Sequence, residues 1–280
     1  MLIQRILAAI ILLPLVVVAL FYAPFSIFVY IIILICGLAA FEWAQFLALT
    51  KKQSKLLFAL GVVVFLGILY FLPFPIELKS KIYISIMSLS IVWWLLALIL
   101  VLSYPNSAKY WRNSFIAKLL FAFFTLIPFF IGMIQLRAIN YPTNSYTGAF
   151  LLLYVFVLVW ATDTGAYFVG RSLGKHKLSP KVSPGKTLEG FLGGVIVAVV
   201  ISLIIYATNF FTISFTTFII SSLFAIFVSA LGDLTESMFK REAGIKDSGN
   251  LIPGHGGVLD RIDSLTAAVP IFATLSLHLL

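Results

Sequence analysis

The chain alternates long apolar runs with short polar turns. Nine segments read as membrane spans: 6–23, 25–49, 56–73, 82–102, 115–139, 148–169, 188–207, 215–234 and 265–280. An α-helix needs about 20 mainly apolar residues to cross a bilayer. The pattern therefore predicts an all-α fold, a polytopic transmembrane helix bundle of about nine spans. Its least distinct points are the first pair, which only Pro24 separates, and the short last run. No fixed-period repeat is visible, and no linker is long enough to mark a soluble domain. Composition agrees: 62% of residues are hydrophobic and mean hydropathy is +1.12, where a soluble domain has about half its residues apolar. Arg5 ahead of an apolar run resembles a secretory signal, but no small-residue cleavage site ends that run and eight further spans follow. The single Cys36 lies within an apolar run, which excludes an internal disulfide.

Charge changes the picture by where it falls. With the N-terminus inside, every basic residue except Lys79, Lys81 and Arg137 lies on the cytoplasmic side. The positive-inside rule then sets the N-terminus in and the C-terminus out. The net charge of +9 is thus a topology signal and not a nucleic-acid footprint. Acids in or beside hydrocarbon are costly, about 2.5–3.5 kcal/mol each near a helix centre, and are functional candidates by default. Apart from Glu42 and Glu77, all of them lie between Asp163 and Asp263: Asp163, Glu189, Asp233, Glu236, Glu242, Asp247, Asp260 and Asp263. The topology puts these near the cytoplasmic ends of the last four spans, with Asp233 closing its helix and Asp263 opening the next. That distribution predicts a cytoplasm-facing polar cavity in the C-terminal half. Residues 1–139 read as a transmembrane scaffold and 140–280 as the catalytic region.

Two polar runs carry candidate chemistry. The first, 237–263, reads SMFKREAGIKDSGNLIPGHGGVLDRID. Asp260 and Asp263 are three apart and share a helix face, and the loop returning from Asp233 is long enough to bring all three carboxylates together. Such a set suits Mg²⁺, which takes one or two carboxylates plus substrate phosphates. His255-Gly256-Gly257 follows Pro253-Gly254, a turn whose backbone amides can approach an anion. A Cys/His zinc site lacks ligands. The second run, 163–190, reads DTGAYFVGRSLGKHKLSPKVSPGKTLEG. Gly185-Lys186-Thr187 suggests a P-loop, but Pro180 stands where that motif needs glycine. What remains is a basic loop entering a helix near Thr187, where Ser183, Lys186 and Thr187 can hold phosphate or ribose oxygens. Lys175, Lys177 and Lys181 read as contacts to anionic lipid headgroups.

The run 237–263 resembles the hallmark of the phosphatidate cytidylyltransferases, also called CDP-diacylglycerol synthases. The matching positions are Ser237, Lys240-Arg241, Lys246-Asp247, Gly249, Pro253, His255-Gly256-Gly257, Asp260-Arg261 and Asp263, and DTGAYFVGR and SPGKTLEG upstream are also similar. The resemblance implies transfer from CTP to phosphatidate, giving CDP-diacylglycerol and diphosphate, by a multi-pass protein of the cell (inner) membrane. It implies catalytic roles for Asp233, Lys240, Arg241, Lys246, Asp247, His255, Asp260, Arg261 and Asp263. It implies substrate contacts for Asp163, Ser183, Lys186, Thr187, Glu189 and Ser237. Asp233, Asp260 and Asp263 would hold Mg²⁺. A second, monovalent cation such as K⁺ and a homodimer through the N-terminal spans are expectations of the same kind, and no nucleic acid is implied. Two rival readings stand beside it, the first with the same site residues. A CTP-dependent polyprenol or lipid kinase would transfer the γ-phosphoryl group. A cation transporter would place acids at the midplane of repeated, broken helices.

Overall fold

The computed structural model describes residues 2–252, 254 and 256–279. Within hydrocarbon every backbone polar group must be satisfied inside its own segment, so apolar runs fold as helices. These are α1 (Leu2–Phe21), α2 (Phe25–Trp43), α3 (Lys52–Phe71), α4 (Ile76–Leu102), the short α5 (Ala108–Trp111), α6 (Phe115–Ala138), α7 (Ser145–Leu173), α8 (Leu188–Ala207), α9 (Phe215–Glu242) and α10 (Leu259–Thr274). A π-helical turn, Leu275–Leu279, continues α10. The nine expected apolar segments each correspond to a helix. Seven of them, α2, α3, α4, α6, α7, α8 and α9, are long and apolar enough to cross a membrane. The stretch of α1 whose side chains are described, Ile10–Phe21, and the 16-residue α10 are shorter.

Polar residues punctuate the helices. Ser114, Asn144, Thr187 and Ser214 are N-caps whose side chains each accept a backbone N–H of the following turn. Pro24 and Pro75 occupy the same position at α2 and α4.

Two features depart from expectation. Asp233 does not close its helix: α9 runs on to Glu242, so Ser237, Lys240 and Arg241 are helical and not in a loop. Pairs four residues apart, Ser237 with Asp233 and Lys240 with Glu236, support those last turns, and two basic residues complement the helix C-terminus. The basic loop before α8 is also more ordered than its sequence suggests. It forms an antiparallel hairpin of β1 (Lys177–Ser179) and β2 (Ser183–Thr187), pairing Lys177 with Thr187.

Packing fixes where the polar groups end up. α7 and α8 approach closely enough that a Cβ on Gly194 would lie 2.3 Å from the Thr162 carbonyl oxygen. α6 and α10 are largely enclosed by their neighbours. At the end of the bundle that holds the hairpin, Phe239 of α9 is seated among Trp43, Trp111 and Phe121, with ring centroids 5.1–5.6 Å away. This aromatic seat ties the end of α9 to α2, α5 and α6 and holds Lys240 and Arg241 beside it. Trp93 and Trp94 belong to the same buried cluster.

Candidate active site

A cavity of about 550 Å³ opens between α7, α8, α9 and the hairpin. Its lining mixes polar groups, Thr162, Asp163 and Arg171 from α7, Lys186 and Thr187 from β2 and Asp233 from α9, with the apolar and aromatic side chains of Ala166, Tyr167, Leu178, Phe191 and Ala230.

Lys186 and Asp233 form an ion pair across the cavity, Nζ to Oδ2 at 2.5 Å, and Ser237 donates its hydroxyl to Asp233 Oδ1 at 3.2 Å. Asp163 is within electrostatic reach of Lys186, Asp233 and Arg261. Asp263, on the second turn of α10, is within reach of Asp233, Lys240 and Lys186. Of the expected site residues, Asp163, Asp233, Lys186 and Thr187 thus line one cavity, and Asp263 lies within electrostatic reach of Asp233 and Lys186.

Asp260 is turned elsewhere. Its Oδ2 accepts the backbone N–H groups of Ser248 (2.9 Å) and Gly257 (2.7 Å), and its Oδ1 accepts Lys240 Nζ at 2.7 Å. Lys240 also holds Glu236 at 2.7 Å, so it bridges α9 to the start of α10. Arg241 donates Nε–H to the Val182 carbonyl at 3.0 Å and pins the hairpin turn to α9. Glu189 accepts the backbone N–H groups of Lys175 and His176 and pairs with the His176 ring at 2.6 Å. It thereby fastens the strand entrance to α8. Thr187 uses its hydroxyl oxygen on the Gly190 N–H at 3.1 Å, as a helix cap. Ser183 opens β2, Lys246 and Asp247 lie exposed in the loop after α9, and His255 lies outside the described residues.

Two acids matter here to which the sequence reading assigned no catalytic, substrate or metal role. Glu236 is buried, and its Oε1 has no hydrogen-bond partner among the described residues, although Asp263 and Asp260 are close enough to repel it. Glu42, from the half read as scaffold, is buried against the loop that precedes α10. Its signal was available: an acid within a run of apolar residues whose burial requires a partner.

Among the described residues, no group of three or more His, Cys, Asp or Glu side chains is gathered as a ready metal cage. The donor chemistry still fits Mg²⁺. Asp233 and Asp263 are oxygen donors within electrostatic reach of each other, Glu236 with its unfilled Oε1 is near Asp263, and this ion ordinarily completes its shell with water and substrate phosphate.

These features define a polytopic helical membrane protein with a cavity lined by Asp163, Arg171, Lys186 and Asp233. The sequence pattern of the cytidylyltransferase family matches residues 3–279, and the chain belongs to that family. It is similar to the phosphatidate cytidylyltransferase of Haemophilus influenzae, 50% identical over 98% of each chain. The phosphatidate cytidylyltransferase of Pseudomonas aeruginosa is 41% identical over 98% of this chain and 97% of its own. That of Bacillus subtilis is 37% identical over 95% and 92%.

Proposed function

We propose that this chain transfers the cytidylyl group of CTP to phosphatidate. The observation that carries the reading is a single cavity whose lining joins the Lys186–Asp233 pair, Asp163 and Arg171 to apolar and aromatic side chains. A triphosphate needs the charged groups, and a lipid phosphate still attached to its acyl chains needs the apolar ones. The names of the relatives support the same substrates.

In this reading a phosphate oxygen of phosphatidate attacks the α-phosphorus of CTP. A new P–O bond forms, the bond to the β-phosphate oxygen breaks, and diphosphate leaves. Phosphoryl-type transfer depends on alignment and charge neutralisation and not on a nucleophilic side chain. Lys186 supplies an ammonium at the cavity wall. Lys240 is held between two carboxylates and fixes the geometry of α9 against α10. Ser237 orients Asp233, and Arg241 keeps the hairpin, and with it Lys186, over the cavity. Asp233 and Asp263 would hold Mg²⁺, which when bound offsets negative charge on the phosphates. The basic asymmetry of the loops supports a cytoplasmic cavity in the cell membrane, where CTP is available.

The test is product analysis. Purified protein with labelled CTP, phosphatidate and Mg²⁺ should yield labelled CDP-lipid with diphosphate in equal amount. Labelled CDP together with a phosphorylated lipid would instead establish a CTP-dependent lipid kinase, and no lipid product at all would remove the assignment.

A further inference from the structure

Glu42 sits near the C-terminal end of α2 and is 1% exposed. Its Oε1 accepts the Val258 N–H at 3.0 Å, and its Oε2 accepts the Leu259 N–H at 2.8 Å and the Ser248 hydroxyl at 3.3 Å. Val258 is the N-cap of α10 and offers no side-chain cap. The first N–H groups of a helix have no partner within it and usually find one in the cap residue's own side chain. Here a different helix provides it. Gln45, one turn beyond Glu42, donates Nε2–H to the Ser248 carbonyl at 2.5 Å and holds the other side of the same loop.

The loop is shaped around this carboxylate. A Cβ on Gly249 would lie 2.2 Å from Glu42 Oε1, and one on Gly257 would lie 2.4 Å from Oε2. Both glycines belong to the 237–263 run, and the space a side chain would take is filled by an acid from α2. Directly after the capped N–H groups come Asp260, which meets Lys240, and Asp263, which faces Asp233.

We propose that Glu42 is a positioning residue for the reaction: α2 lends its carboxylate to start α10 in the register that brings Asp263 to Asp233. It reaches no substrate in this arrangement and acts only through the loop. The proposal rests on the cavity being the site of cytidylyl transfer.

Glu42→Gln tests it with almost no change of shape. An amide has one oxygen, so its NH₂ must face either Val258 N–H or the Leu259 and Ser248 donors, and one side of the cap is lost. The expected result is a fall in kcat of tenfold or more per folded molecule, with KM for CTP changed less than about threefold. Hydrogen exchange at the Val258 and Leu259 amides should quicken, and Glu42→Asp, which keeps both acceptors, should recover a substantial part of kcat. Unchanged kcat in well-folded Glu42→Gln would overturn the proposal, as would amides that stay protected. If Glu42→Gln does not fold, Gly249→Ala pushes on Oε1 from the loop side with Glu42 intact. The same pattern is expected there, and normal turnover with protected amides would also overturn it. Should the wild-type protein make no CDP-lipid, the reaction assignment fails by itself, while amide exchange still reports whether Glu42 starts α10.

Discussion

At the scale of single residues, the carboxylates divide by what already satisfies them. Asp233 is held by two side chains, Lys186 and Ser237, and Asp263 by the adjacent Ser264 N–H, whereas Asp260 is occupied by the N–H groups of the loop before α10 and by Lys240. The three should therefore respond differently to Asn. Asp233→Asn and Asp263→Asn should lower turnover by two orders of magnitude or more while leaving detergent melting temperatures within a few degrees. Asp260→Asn should lose activity and stability together, because a buried donor left unmatched costs about 1–3 kcal/mol. Turnover and melting measured on the same preparations separate these outcomes. Equal melting for all three would show that Asp260 is not the structural member of the set. The sequence made the acids legible as candidates because any charge in such an apolar chain stands out. Their partners were not legible. Asp260 is satisfied by Ser248 and Gly257 N–H groups, and every residue carries a backbone N–H, so nothing in the side-chain pattern marks which ones meet it.

At the scale of elements, apolar runs predicted the helices well because lipid permits little else for them. The end of α9 and the hairpin were harder. Past Leu234 the apolar signal stops, yet the helix continues on polar pairs and on Phe239, whose seat among Trp43, Trp111 and Phe121 is a tertiary fact. The stretch 177–187 has no alternation of apolar and polar residues, and what holds it as a hairpin is Arg241 from one side and Glu189 from the other. The contact of α7 with α8 yields a direct test, since Gly194 leaves no room for a side chain against Thr162. Gly194→Leu should force the two helices apart and open the cavity between them. We expect reduced folded yield on size exclusion in detergent and loss of nearly all activity in the fraction that folds. By contrast, Gly61→Leu on α3, where a Cβ meets nothing within 4 Å, should leave both unchanged. Similar behaviour of the two variants would mean the contact does not shape the cavity.

For the molecule as a whole, orientation decides which compartment the cavity draws from. The basic residues predict that a reporter fused after Leu280 is active only as an external reporter, and one inserted near Lys177 only as a cytoplasmic one. The reverse pattern would move the cavity to the other face and leave it without CTP. Both hydrophobic clusters draw residues from each half of the chain, and Glu42 is joined to Ser248, Val258 and Leu259 across 206, 216 and 217 residues. That separation has a meaning during synthesis. Glu42 enters the bilayer with the second helix, and the donors that match it are made only when the last one emerges. Until then the growing protein carries an unmatched acid at a membrane boundary, where water and headgroups can attend to it more readily than at the bilayer centre. A chain cut short before its final helix keeps that exposed acid permanently.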